Sequence, residues 1–421
     1  MIIPSIDLQA GRTVQLVGGE RLEIDAGDPI PIAERFSVAG EIAVIDLDAA
    51  MGSGGNRALV EELVRRFTCR VGGGIRDYGA AAGWLDAGAS SVIIGTAATP
   101  ELLRRLPRER VIAALDARSG EVVVEGWKRG TGRGIIERVA ELKDHVGGFL
   151  VTFVEREGRM GGTDMELARR VVEAAGKAKV TIAGGVAALA EIAKLDRMGA
   201  DAQIGMALYS GRMDLADAIS SPLRSDRPDG LWPTVVADDS GVALGLAWSD
   251  AESLREAVRL RRGVYCSRTR GLWIKGEGSG DVQDLIRIDL DCDRDALRFT
   301  VRQSGQGFCH LGTRTCWGDD GGLRSLSRRL FERRTKAPDG SYTRRLFDDP
   351  ALLASKLKEE AGELAEARGD GVAEEAADLI YFALVAMARS GVEIAEVERV
   401  LDRRSRKLTR RPGDAKPAMK K

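Results

Sequence analysis

At 421 residues the chain is too long for one hydrophobic core of ordinary size, so two or three domains are expected. Its 63 basic and 64 acidic residues leave a formal net charge of −1, which excludes a global field drawing the protein to nucleic acid or a membrane surface; an anionic ligand must be held by local groups. Hydrophobic residues make up 44% and charged residues 30%, the balance of a soluble globular protein, and no apolar run approaches membrane-spanning length.

The opening MIIPSIDLQAG lacks the basic n-region of a secretory leader, so a cytoplasmic protein is expected. From there to residue 222, short apolar runs alternate with helical stretches. The runs are 2–7, 42–47, 69–72, 91–95, 111–116, 149–153, 179–184 and 201–205. Strand-then-helix eight times over about 220 residues predicts a (βα)8 TIM barrel. The segment also resembles itself with a period of about 110 residues. IIPSIDLQAGRTVQL aligns with VIAALDARSGEVVVE, and VGGGIRDYGAAAGWLDAGASSVIIGTA with IAGGVAALAEIAKLDRMGADAQIGMAL. Asp7 thereby matches Asp116, Gly73 matches Gly184, and Gly95 matches Gly205, as in two half-barrels.

Residues 220–230 hold proline, serine and charge without periodicity and read as a linker. A second domain over 229–318 is expected to be small and mixed α+β, with strands within 234–248 and 284–303 and one helix at 250–260. GDDGG at 318–322 makes another break, and a third domain over 323–412 is expected to be all helical, because apolar residues recur there at spacings of three and four. The basic tail 410–421 is expected to be solvated and unstructured.

Asp7 and Asp116 each end an apolar barrel strand, the position that faces a barrel active site. On strands one and five they face each other across the mouth, as a general acid and a general base acting on one substrate would. A single such aspartate could equally cap a loop; the symmetric pair favours chemistry. The glycines after strands three, seven, four and eight (Gly72, Gly73 and Gly74; Gly184 and Gly185; Gly95, before Thr96; Gly205, before Met206) would let backbone N–H groups approach phosphate. Two copies imply a substrate with a phosphate at each end.

These stretches, with VIDLDAAMG and LDARSGEVVVEGW, resemble over the whole first segment the histidine-biosynthesis isomerase that converts a bis-phosphoribosyl aminoaldose to the aminoketose. The resemblance implies that Asp7 accepts and Asp116 donates a proton in an Amadori rearrangement. It also implies that Thr152 belongs to the active site, that Trp127 on a loop covers the substrate, and that Arg76 follows the phosphate-binding glycines. The chain departs from the family's pattern at Glu157, Arg159 and Met206.

In the second domain DLDCDRDAL gathers Asp291, Cys292, Asp293 and Asp295, with Cys309 and Cys316 downstream in CHLGTRTCW. On a strand the three aspartates would share one face and Cys292 the other. Clustered cysteines in a cytosolic chain point to a metal before disulfides. Three thiolates suit Zn2+ with a fourth position left for water, while the carboxylates suit Mg2+. Cys69 and Cys266 read as small buried apolar residues. His310 stays open between general base, alternative ligand and structural hydrogen-bonder. LGLAWSDAESL, GVYCSRTRGLWIKGEGSG, DCDRDAL and CHLGTRTCW closely resemble phosphoribosyl-AMP cyclohydrolase. That resemblance implies zinc on Cys292, Cys309 and Cys316, magnesium on Asp291, Asp293 and Asp295, a zinc site shared across a dimer, and hydrolysis at N1–C6 of the adenine ring.

In the third domain Glu360 and Glu363 lie one helical turn apart, as do Glu375 and Asp378. One such pair is usually a solvated face. Two pairs on helices joined by the short ARGDG turn would bring four carboxylates together, an arrangement that a divalent cation stabilises. The pattern resembles the all-α nucleotide pyrophosphatases, and SYTRRLF with EEAADLIYF resembles phosphoribosyl-ATP pyrophosphohydrolase, which implies Mg2+ on these residues. Taken together, the three resemblances imply a trifunctional histidine-biosynthesis enzyme acting on phosphoribosyl nucleotides, and a homodimer formed through the cyclohydrolase and helical domains. Two alternatives stand beside it: a cyclohydrolase and pyrophosphohydrolase pair with a weakened or scaffold-like barrel, and a barrel that also isomerises phosphoribosylanthranilate.

Overall fold

The apolar runs of the first segment form eight strands: β1 (Ile2–Gln9), β2 (Ile42–Asp46), β3 (Cys69–Gly72), β4 (Ser91–Ile94), β5 (Val111–Arg118), β6 (Gly148–Phe153), β7 (Lys179–Ala183) and β8 (Ala200–Ile204). Each pairs in parallel with the next, and β8 returns to β1, so the sheet closes into a (βα)8 barrel. The computed structural model describes residues 1–124, 126–127 and 129–409. The tail 410–421, including the last three residues of the expected third domain, lies outside the described residues.

An aliphatic layer of Ile93, Ile112, Leu150 and Ala183, with Ile45 and Ala114 against it, fills the barrel interior. Outside, amphipathic helices bury one face each; Arg57–Arg66 buries Val60, Leu63 and Val64. Asp28, Asp77 and Asp164 cap helices by accepting a backbone N–H in the first turn, a contribution of about 1 kcal/mol each.

Two antiparallel arms interrupt the eightfold pattern. After β1 the chain forms Arg12–Val17 and Arg21–Gly27; after β5 it forms Glu121–Val124 and Arg129–Gly134. The first strand of each arm folds back on the barrel strand it leaves, with Asp7 in register with Val14 and Asp116 in register with Val123. The aligned GRTVQL and GEVVVE are therefore matching hairpin strands, and the internal repeat holds down to the register.

The described chain divides into two compact units, and the first includes the barrel together with most of a small sheet domain. That sheet runs in the order β10 (Ala243–Ser249), β9 (Trp232–Asp238), β12 (Leu297–Gln303) and β11 (Gln283–Leu290). β9 and β12 are parallel, β12 and β11 antiparallel, and the helix Ala251–Leu260 starts from its Asp250 cap. A buried polar chain is fully partnered: the Tyr265 hydroxyl donates to Gln283 at 2.6 Å, and the Gln283 amide donates to Gln303 at 2.8 Å.

The second unit contains residues 239–244 and 307–405. Its helices are α1 (Gly322–Lys336), α2 (Tyr342–Asp348), α3 (Pro350–Glu366), α4 (Gly371–Arg389) and α5 (Ile394–Ser405). Leu330, Leu346, Phe347, Leu353, Phe382, Leu384, Val385 and Ala388 form its core. No helix among the described residues is long and apolar enough to cross a membrane.

Within the first unit Asp196, at the end of the barrel helix Leu189–Arg197, accepts the N-terminal ammonium at 3.0 Å and Arg294 Nη2 at 2.9 Å. Its side chain is 8% exposed and that of Arg294 20%. Removing one partner leaves the other charge uncompensated, which costs about 3–5 kcal/mol for a fully buried pair. With the remaining solvent contact, Asp196→Ala is expected to destabilise the first unit by about 2 kcal/mol. The shift in its denaturant unfolding midpoint checks this.

Candidate functional sites

Across the C-terminal ends of the barrel strands opens a cavity of about 1130 Å³. Asp7 and Asp116 stand on opposite walls because β1 and β5 are four strands apart in a ring of eight. Ser5 Oγ donates to Asp7 at 2.9 Å and Gln15 Nε2 donates at 3.3 Å, and the Tyr209 hydroxyl donates to the Ser5 carbonyl at 3.0 Å. Burial outweighs those two donors and pushes the Asp7 carboxyl up to about 6. Thr152 is the register neighbour of Asp116 on β6. Burial raises the Asp116 carboxyl as well, against hydrogen bonds from Trp127 and Thr152.

Glu157, which the sequence reading treated only as a departure, lines the same cavity. Burial first, then the charge of Asp7, then that of Asp116, pushes its carboxyl up to about 8. At neutral pH it is mostly protonated. No repeat signal could find it, since it has no partner in the first half-barrel.

Every barrel position expected to bind substrate lines this cavity: Gly73, Gly74, Arg76, Gly95, Thr96, Trp127, Gly184, Gly185 and Gly205. Gly73 has φ +102°, and a Cβ there would lie 2.1 Å from the Asp46 carbonyl oxygen at the end of β2. Its repeat partner Gly184, φ +89°, would place a Cβ 2.6 Å from the Phe153 carbonyl oxygen at the end of β6. Both turns therefore require glycine, and the bare backbone is left facing the cavity. Arg76 is held by a bond from Nη2 to the Ala50 carbonyl at 3.0 Å. Arg133, on the arm after β5 that the sequence did not resolve, and Arg138, on the helix Ile135–Leu142 that follows it, also line the cavity and add positive charge. Met206 lines it too, whereas Arg159 is exposed and outside the lining. The arms meet above: a Cβ on Gly19 would lie 2.4 Å from the Trp127 ring.

In the sheet domain, Asp291, Asp293 and Asp295 bring carboxylate oxygens within 4.8 Å of one another. The expected strand alternation is not how this happens. β11 ends at Leu290, and 291–295 form a bend with Arg294 at φ 65°. Asp291 accepts the backbone N–H of Asp295 at 3.0 Å and of Ala296 at 3.2 Å, so its side chain competes with the sheet ladder and turns the chain. A hydrogen bond with Asp291, then the charge of Asp293, holds the Asp295 carboxyl above its ordinary range. Cys292 is exposed on this bend in the first unit. Cys309, buried, and Cys316, exposed, lie in the second unit on a loop pinned by bonds from Phe308 N to the Arg314 carbonyl at 3.0 Å and from Cys316 N to the Leu244 carbonyl at 2.8 Å. His310 is exposed on the same loop. Cys69 is buried and Cys266 half-buried.

On the helices, Glu360, Glu375 and Asp378 bring carboxylate oxygens within 4.8 Å, and so do Glu359, Glu360 and Glu363. Desolvation, then the charges of Glu360, Glu375 and Glu359, raises the Glu363 carboxyl. Lys356, missed in the sequence, approaches Glu359 at 2.7 Å and Glu360 at 3.2 Å. Five carboxylates and one ammonium are thus gathered on these two helices.

Three family models match the chain in order: histidine biosynthesis protein over residues 1–214, phosphoribosyl-AMP cyclohydrolase over 245–318 and phosphoribosyl-ATP pyrophosphohydrolase over 323–405. A histidine biosynthesis trifunctional protein of Komagataella pastoris is 52% identical over 211 residues, 50% of this chain and 25% of the relative. A histidine biosynthesis bifunctional protein of Schizosaccharomyces pombe is 51% identical over 208 residues, 49% of this chain and 50% of the relative. An imidazole-4-carboxamide isomerase of Methanoregula boonei, whose substrate carries two phosphoribosyl groups, is 40% identical over 233 residues, 52% of this chain and 98% of the relative. The chain thus spans a quarter to a half of the length of the first two of these relatives.

The raised Glu157 carboxyl has a consequence for stability. The folded protein holds this proton more tightly than the unfolded chain does. Stability therefore falls as pH rises from the ordinary glutamate range to about 8, by up to about 1.4 kcal/mol per pH unit. Asp7 adds a similar loss that ends near pH 6. In Glu157→Gln the decline between about pH 6 and 8 should disappear, and denaturation midpoints across that range would reveal it. Equal slopes in the two proteins would mean that Glu157 ionises freely.

Proposed function

We infer that this chain, which belongs to the histidine biosynthesis protein family, is a trifunctional enzyme: it releases pyrophosphate from phosphoribosyl-ATP, opens the adenine ring at N1–C6, and isomerises the resulting aminoaldose to the aminoketose. The domains assigned are 1–222, 229–318 and 323–412. The observation that carries the isomerase reading is Asp7 and Asp116 facing each other in one cavity between twinned glycine turns.

Asp116, whose carboxyl burial raises, donates a proton to the ring oxygen of the aminoaldose and opens the sugar. Asp7 takes the proton from the adjacent carbon, and the enolamine so formed tautomerises to the ketose with no net gain or loss of atoms. Thr152 and Trp127 fix Asp116, while Ser5 and Gln15 fix Asp7. Neutral Glu157 adds no third charge. The glycine turns, with Arg76, Arg133 and Arg138, would take the two phosphates. Glu157 and Met206 line the cavity without displacing this set, which speaks against a weakened barrel.

For ring opening, Cys292, Cys309 and Cys316 are assigned to zinc and Asp291, Asp293 and Asp295 to magnesium; thiolates suit the softer ion and the converged carboxylates the harder one. Zinc, when bound, activates water for hydrolysis. His310, exposed between two of the cysteines, is within the same loop and is assigned to move the proton. For pyrophosphate release, Glu360, Glu363, Glu375 and Asp378 are assigned to magnesium, with Glu359 and Lys356 beside them. Magnesium, when bound, neutralises phosphate charge and activates water. Five cysteines free of disulfides support a cytoplasmic protein. Val372 and Ile380 are exposed on α4, and Leu311 and Trp317 on the cysteine loop, which supports a homodimer through the cyclohydrolase and helical domains.

Asp7→Asn should lower isomerisation by about 10²–10⁴-fold, and Glu375→Gln should block pyrophosphate release while phosphoribosyl-AMP supplied directly is still opened. Product analysis with each substrate in turn tests the assignment of all three steps; full isomerase activity in Asp7→Asn would sink the barrel reading.

Metal analysis of Cys309→Ser should show the zinc content falling from about one per chain towards none, with ring opening lost. Unchanged zinc together with unchanged ring opening would remove these cysteines from the site.

A further inference from the structure

The arm after β1 reaches the surroundings of all three cavity acids. Gln15, on its first strand, donates to Asp7 at 3.3 Å. Gly18 donates its N–H to the Glu157 carbonyl at 3.3 Å, and a Cβ on the neighbouring Gly158 would lie 2.5 Å from the Leu16 carbonyl oxygen. Val17 and Arg21 are in register, so Gly18, Gly19 and Glu20 form the tip of the arm. Gly19 and Trp127 both line the cavity, and they touch: a Cβ on Gly19 would lie 2.4 Å from Cζ3 of the indole and 2.9 Å from Cε3.

Trp127 holds φ 70°, a left-handed conformation that an aromatic residue disfavours, so contacts of the ring must keep it there. Two contacts do so. The single donor of the indole, Nε1–H, bonds Asp116. Cε3 and Cζ3, on the side of the ring away from Nε1, occupy the space where a side chain of Gly19 would stand. Asp116 cannot follow a displaced ring, because β5 is in register with Thr152 of β6 on one side and with Val123 of the arm after β5 on the other. A side chain at position 19 therefore takes the indole away from Asp116. We propose that Gly19 is a positioning residue of the isomerase: the empty place of its side chain seats the indole of Trp127 so that Nε1–H reaches Asp116. The seat comes from the first half-barrel and the aspartate from the second, so the tip of the arm completes the site across the repeat. The proposal rests on the isomerase reading of the barrel.

The test uses Gly19→Asn in the full-length protein, because asparagine tolerates the left-handed backbone there (φ +74°) and adds a side chain with little strain. It should lower kcat/KM for the aminoaldose about tenfold, the loss of one hydrogen bond to a carboxyl. Trp127→Ala should lower it at least as far. Adding Gly19→Asn to Trp127→Ala should cost nothing more, since the clashing ring is gone. The fluorescence of Trp127, taken as the difference from Trp127→Ala, should lose its protection from acrylamide in Gly19→Asn. A further tenfold loss in the Trp127→Ala background would place the cost in the arm itself and overturn the proposal. Full activity in Gly19→Asn with the indole still protected would overturn it while leaving the isomerase reading intact. A wild type that does not isomerise would overturn that reading; loss of protection would then still uphold the seat, and retained protection would overturn it too.

Discussion

Like charges held close together are the constraint that the three carboxylate sites share. Three sets of carboxylates converge in this chain: Asp7, Asp116 and Glu157 in the barrel, Asp291, Asp293 and Asp295 on a bend, and Glu359, Glu360, Glu363, Glu375 and Asp378 on two helices. Each set brings like charges close together. The barrel resolves its repulsion with protons and donors, since it holds Glu157 neutral and gives Asp7 and Asp116 two donors each. The helical set has one ammonium, Lys356, and the bend has backbone N–H groups on Asp291 alone. The barrel carboxyls are thus governed by burial and by donors, whereas those of the bend and the helices are crowded by one another with fewer partners.

The barrel site follows from an internal repeat whose two halves have diverged in side chains while keeping their backbone. Asp7 and Asp116 pair with equivalent hairpin residues, and Gly73 and Gly184 are each pressed against the carbonyl at the end of the strand before. Those glycine contacts are steric, so they persist whatever the substrate. The asymmetry lies in what surrounds each aspartate. Asp7 is held by Ser5 and Gln15, from its own strand and the arm that follows, whereas Asp116 is held by Thr152 from the next strand and Trp127 from a loop. A symmetric backbone thus carries two aspartates with unlike hydrogen-bond neighbours, and burial raises both carboxyls.

Periodicity made the barrel legible, because each strand is a short apolar run and the repeat fixes strand order. The sites on single helices were legible for a similar reason: spacing of three already places Glu360 with Glu363 and Glu375 with Asp378. Three features were not. The hairpin arms lack an apolar period of their own and read as loop, which hid Arg133. Glu157 has no repeat partner, and its importance comes from burial beside two other acids, a property of the closed barrel. The DCDRD stretch was read as strand from its neighbours, but aspartates that can bond their own backbone favour a turn there. Its carboxylates still converge, since a tight bend brings alternate residues together as well as a strand face does.

The bend also ties the sheet domain to the barrel fold. Arg294 sits at φ 65°, a left-handed conformation that a side chain of its size disfavours, so something must hold it. Its guanidinium bonds the Asp291 carbonyl within the bend and the Asp196 carboxylate on a barrel helix. Asp196 in turn binds the N-terminal ammonium beside β1. The residue that completes the turn of the acidic bend is thus fixed by a carboxylate whose position depends on barrel closure. The first compact unit accordingly includes most of the sheet domain along with the barrel. In energetic terms the strain at Arg294 is met by charge from outside its own domain, so the acidic bend and the barrel helix share one stabilising interaction although their chemistry is separate.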